Sequence, residues 1–129
     1  MGAKIVIRTD RAPGPFQGAP YNQAIRIGEL VFVAGQLGIG LDSGELVGPG
    51  VGEQTEQIMA NLSAILEEAG SGLDKLLKTT VFLVDLADFP GMNEVYARHV
   101  GDQPPARSTV GIAALPSGAV VEIEVVAHV

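Results

Sequence analysis

EQTEQIMANLSAILEEAGSGLDKLLKTTVFLVDLADFPGMNEVYARHV, residues 53–100, changes its hydrophobic period twice and so decides the fold. From Gln54, the apolar residues Ile58, Met59, Leu62, Ile65, Leu66 and Ala69 recur at i, i+1, i+4, i+7, i+8 and i+11, the spacing of one helix face. Gly70 and Gly72 follow as stop signals. Leu76 to Val84 is rich in β-branched and aromatic residues and reads as a strand. Asp88 then sits where an N-cap belongs, with Pro90 in the first turn. Met92, Val95, Tyr96, His99 and Val100 restore the helical period until Gly101. A helix, a strand and a second helix in this order predict crossover connections onto a sheet.

Working outward, Lys4 to Thr9 is a first strand, and residues 10–23 are a loop punctuated by Pro13, Pro15 and Pro20. Ala24–Ile27 and Leu30–Gly35 read as a hairpin around Gly28-Glu29. Residues 38–52, with six glycines and Pro49, form a second loop. Beyond the helices come two strands, Arg107–Ala114 and Ala119–His128, joined by Leu115–Gly118. The order β-ββ-α-β-α-β-β contains two β-α-β crossovers, which place both helices on one face of a mixed sheet. The other face is left bare, so a homo-oligomer covering it is expected.

The chain has 129 residues, which is one domain, 1–129. A net charge of -7 leaves no basic excess for nucleic acid. No Cys is present, which excludes disulfides, thiolate metal sites and a thiol nucleophile, and two His are too few for a histidine-rich metal site. No apolar run is long enough to span a membrane. Without a signal h-region, the expected location is cytoplasmic.

The last strand alternates, with Val121, Ile123, Val125 and Ala127 on one side and Glu122, Glu124 and His128 on the other. If the last two strands form a tight hairpin, Gly111 faces Glu122, Thr109 faces Glu124 and Arg107 faces Val126. That register places Arg107 and Glu122 on one polar face, too far apart to pair within a chain but able to flank a pocket between chains. Solvent-facing carboxylates and a surface arginine fit the same alternation, and both readings stand at this point. Pro104 and Pro105 stiffen the entry to the Arg107 strand. GPGVG at 48–52 lacks the spacing of a phosphate loop and reads as a plain loop. GQLGIG at 35–40 reads as a strand end and turn, with Gly35 able to admit a ligand to its N–H. Tyr21 is a packing anchor or a ligand contact. His99 lies on the apolar face of its helix and reads as packed there or at its edge rather than catalytic, and His128 lies too near the terminus for a site.

These segments resemble a known family. APYNQAIRIGELVFVAGQ (19–36), EQTEQIMANL (53–62), KTTVFLVDLADFPGMNEVY (78–96), PARSTV (105–110) and LPSGAVVEIEVVA (115–127) are similar to the Rid proteins. These are reactive intermediate deaminases, also labelled endoribonuclease L-PSP or YjgF-like. The resemblance implies an α+β, chorismate mutase-like fold of the bacterial trimeric type, with two helices on one face of a mixed β-sheet. It implies a homotrimer with sites in the clefts between subunits. It implies hydrolysis of 2-imino acids, made by pyridoxal-phosphate dehydratases, to 2-keto acids and ammonia, without a metal or cofactor. By the same resemblance Arg107 binds the substrate carboxylate and Glu122 is the catalytic glutamate. Tyr21, Gly35 and Asn93 contact the ligand. Asn22, Ala34 and Thr109 depart from the commoner pattern, and the loss of a hydroxyl at Ala34 alters the pocket edge. Phe16 offers a second aromatic candidate, but the spacing to Gly35 aligns Tyr21. A non-catalytic carboxylate-binding or regulatory module and a ribonuclease or translation inhibitor are the alternatives.

Overall fold

A computed structural model describes residues 2–129. The strands are β1 (Ile5–Ile7), β2 (Ala24–Ile27), β3 (Leu30–Gln36), β4 (Leu76–Leu83), β5 (Ala106–Gly111) and β6 (Val121–His128). The helices are α1 (Val51–Glu68) and α2 (Phe89–Val100). The chain order matches the sequence pattern, and the six strands form one mixed sheet in the order β1-β2-β3-β6-β4-β5. The helices pack against each other, with α1 on β3 and β6, and so cover one sheet face. The fold is α+β and chorismate mutase-like. Among the described residues, no helix is long and apolar enough to cross a membrane.

Helix α1 begins three residues before Gln54, taking up the end of the glycine-rich loop. Glu53 accepts the Gly50 N–H at 2.9 Å, which is the half of a capping box that a glycine N-cap allows. At the other end Gly70 has φ +85°; its N–H reaches the Glu67 carbonyl and the Ser71 N–H reaches Leu66. This is a Schellman stop, and the left-handed φ is why glycine stands there. Asp88 occupies the N-cap position of α2 but makes no side-chain cap bond. Asp85 makes one instead, accepting the Ala87 N–H at 2.9 Å in the preceding short turn.

Ile58, Leu62, Ile65 and Leu66 of α1 bury against Val121 and Ile123 of β6, Val81 and Leu83 of β4, and Met92 of α2. Each such side chain contributes about 1.5–3 kcal/mol by leaving water. Buried polar groups tie the loops to this core. Gln54 donates to the Gly48 carbonyl at 2.8 Å and accepts the Val120 N–H at 3.0 Å. Asn61 donates to the carbonyls of Leu37 and Ile39 at 3.3 and 3.1 Å.

The expected hairpin of the last two strands is not formed. β5 pairs in parallel with β4, while β6 runs antiparallel between β3 and β4. The connection past Leu115 therefore carries the chain over β4 rather than back along β5. A short turn at Pro116–Gly118, with Ser117 at φ +60°, makes that connection. The consequence for the faces is direct. Thr79 pairs with Arg107 and Val81 with Thr109, and both β4 residues point into the helical core. Phe82 pairs with Glu122 and Thr80 with Glu124 on the bare face. Arg107 and Glu122 therefore lie on opposite faces of the sheet, contrary to the shared polar face expected from the hairpin register. Ser108 and Val110 of the same strand pair with Thr80 and Phe82 on the bare face, and Val110 is 42% exposed.

Candidate functional site

Glu122 belongs to the bare face by the alternation of β6. Opposite it β3 bulges, the register slipping between Val33 and Gln36, which places Ala34 and Gly35 at the irregularity. A bulge re-aims the backbone locally and recurs beside binding sites. Here it brings Gly35 under the carboxylate. A methyl group on Gly35 would stand 2.8 Å from Glu122 Cδ and 2.9 Å from Oε1, so only glycine leaves the glutamate its place. Burial, and then the charge of Glu124, raise the Glu122 pKa above its ordinary 4.5. A carboxylate held this way takes up a proton more readily than a solvated one, which suits general-base work near neutrality.

The cleft beside Glu122 has a volume of about 940 Å³. Its walls come from the first loop (Thr9, Pro13, Phe16, Tyr21), the β3 bulge (Ala34, Gly35) and the segment with Ile39 and Leu41. Tyr21 is placed by its own loop, since its hydroxyl accepts the Phe16 N–H at 2.6 Å. Phe16 is thus the neighbour that holds the tyrosine, and both line the cleft. The loop is in turn stapled to β2 by Gln23, a residue the sequence reading passed over. Its buried amide accepts the Thr9 N–H at 2.7 Å and donates toward the carbonyls of Thr9, Ala12 and Pro13. A glutamine just before a strand carries no sequence signal for this role.

Arg107 and Asn93 are elsewhere. Arg107 is the second residue of edge strand β5 and lies on the helix side, its guanidinium over the rings of Phe89 and Tyr96. Asn93 lies on α2 between those rings, four residues after Phe89 and three before Tyr96, hence on the same stripe. Its Oδ1 is buried and has no hydrogen-bond partner among the described residues. The spacing of Phe89, Asn93 and Tyr96 was visible in the sequence, but the core stripe through Met92 and Val95 obscured it. The five candidates therefore fall into two separate groups, each a candidate half-site. Tyr21, Gly35 and Glu122 share the bare-face cleft, while Asn93 and Arg107 share the β5–α2 edge. Of the two placements expected for His99, it takes the helix edge, paired with Glu56.

A mixed six-stranded sheet in this order, backed on one face by two helices, defines the class of small chorismate mutase-like α+β proteins. Within that class, residues 11–129 match the family described as Endoribonuclease L-PSP. The chain is 46% identical to a RutC family protein of Pyrococcus abyssi over 98% of each chain. It is 41% identical to the human 2-iminobutanoate/2-iminopropanoate deaminase, over 95% of this chain and 88% of that one. The crystal structure of RidA from an Antarctic Psychrobacter superposes with a TM-score of 0.91 at 41% identity, over 97% of this chain and 99% of that one. The chain belongs to the Rid family, also described as endoribonuclease L-PSP, whose members include proteins named imine deaminases.

Proposed function

We propose that the protein hydrolyses 2-imino acids and their enamine tautomers, such as 2-iminobutanoate and 2-iminopropanoate, to 2-keto acids and ammonia. The observation that carries this reading is Glu122, half-buried above Gly35 with a raised pKa. A carboxylate serving only solubility has no need of a bulge and a glycine beneath it. Arg107 grips the substrate carboxylate with its planar fork. Glu122 takes a proton from a water as the water's oxygen bonds to C2 of the protonated imine. Glu122 returns that proton to the nitrogen of the resulting carbinolamine, whose C–N bond breaks to release ammonia, while the hydroxyl proton passes to the freed carboxylate and the oxygen remains as the keto group. Tyr21, the Gly35 N–H and Asn93 orient the substrate.

The two half-sites act together if chains assemble. In a homotrimer, edge β5 of one subunit lies against the bare face of the next, so that Arg107 and Asn93 complete the cleft containing Glu122. The exposed apolar residues of that face, including Phe32 at 45%, supply the contact surface. The substrate would come from pyridoxal-phosphate dehydratases in the cytoplasm. A non-catalytic carboxylate-binding module would need Arg107 but not a desolvated Glu122, and a ribonuclease is opposed by the charge of -7. Coupling the protein to a threonine dehydratase and following 2-ketobutyrate release tests the reading. Faster release with the protein is expected; an unchanged rate would leave Glu122 without its assigned task.

A further inference from the structure

Arg107 is oriented without being consumed. Its Cζ lies 4.9 Å from the ring centroid of Tyr96 and 5.4 Å from that of Phe89. Among the described residues no carboxylate forms an ion pair with it. The two rings are seven residues apart on α2, about two helical turns, and so share one stripe. Phe89 is partly exposed, but Tyr96 is only 5% exposed. The Tyr96 hydroxyl shares a buried 2.7 Å hydrogen bond with Thr79 Oγ1. Thr79 is in turn the β4 residue paired with Arg107 in the parallel ladder. The three residues thus close a loop through backbone pairing, a hydroxyl contact and a ring face.

An arginine on a flexible stem must be aimed before it can receive a carboxylate in both prongs of its fork. An acidic partner would aim it but would occupy the donors. A ring face attracts the cation through its quadrupole and leaves the in-plane N–H groups unused. We infer that Tyr96, tethered to Thr79, is a positioning residue that presents the Arg107 guanidinium to a substrate carboxylate. This rests on the reading of Arg107 as the carboxylate clamp.

Two measurements on the full chain test it: the Arg107 Nε–Hε resonance by NMR, and the Kd for 2-ketobutyrate, the product-like carboxylate. In the wild-type protein the Hε should be shifted upfield by the ring faces. Tyr96→Leu should lose much of that shift and weaken 2-ketobutyrate binding about tenfold. Tyr96→Phe keeps the ring but frees it from Thr79, and should fall between wild type and Tyr96→Leu, with Kd raised about two- to fivefold. Should Tyr96→Leu fail to fold, Thr79→Val combined with Tyr96→Phe fills the same volume without the tether. That variant should broaden the Arg107 resonance and raise Kd about two- to fivefold. A wild-type Hε shift and Kd in a folded Tyr96→Leu protein, or in the double variant if the leucine protein does not fold, would overturn the inference. If wild-type protein fails to bind 2-ketobutyrate at all, the clamp reading falls, and the Arg107 resonance alone decides whether Tyr96 aims the side chain.

Discussion

Glu122 and Gly35 fit together so closely that each predicts the other's behaviour. A Gly35→Ala methyl group would meet the glutamate's flexible end and not backbone, so the fold should persist while the carboxylate is pushed aside. We expect near-normal thermal stability with kcat/KM for imino-acid hydrolysis lowered by roughly tenfold or more, since small misplacements of a base are costly. A circular dichroism melt beside the coupled assay separates the two effects. The pH profile carries a second test. Because burial and Glu124 raise the Glu122 pKa, the charged base forms only above that raised value, and the acid limb should lie above the ordinary carboxylate range. Glu124→Gln removes one of the two causes and should move the limb to lower pH. The linked stability effect has the opposite sense: folding is disfavoured where Glu122 is charged, and stability recovers as pH falls through its folded pKa toward 4.5.

At the scale of elements, the loop that carries Tyr21 depends on one buried amide. Gln23→Ala would orphan the Thr9 N–H and three carbonyls, a cost of about 1–3 kcal/mol where such groups cannot reach water. A lowered Tm, with faster hydrogen exchange confined to residues 9–21, is the expected result. An unchanged melt would mean the loop is held by its prolines alone. Most elements were legible because period and stop signals agree: α1 and α2 carry long apolar stripes, and Gly70 does end α1. β5 and β6 were misread because adjacency in sequence and a Pro-Ser-Gly connection look like a hairpin. What separates them is β4, placed between them by pairings that span some thirty residues on one side and forty on the other. Local pattern does not encode such choices. The same error put Arg107 on the wrong face, since inserting a strand changes which residues are neighbours. The face on which Glu122 lies was legible because the alternation within β6 does not depend on its partners. The stapling by Gln23 and the tether from Thr79 to Tyr96 are contacts between distant segments and leave no mark in spacing.

At the scale of the whole molecule, one chain carries its candidate site residues in two groups on opposite sides of its sheet. Among the described residues Leu30, Phe32, Val6 and Val110 leave the uncovered face partly apolar, an arrangement that association would bury. The central claim is that Glu122 of one subunit and Arg107 of another act on the same substrate. Mixing inactive variants tests it most directly. Glu122→Gln removes the base and Arg107→Lys removes the fork, so each variant alone should hydrolyse 2-iminobutanoate poorly. Unfolded together in equal amounts and refolded, they assemble at random, and about one interface in four then joins an intact Glu122 to an intact Arg107. The account predicts that the mixture regains about a quarter of wild-type activity. A mixture as inactive as its components, though assembled, would contradict it.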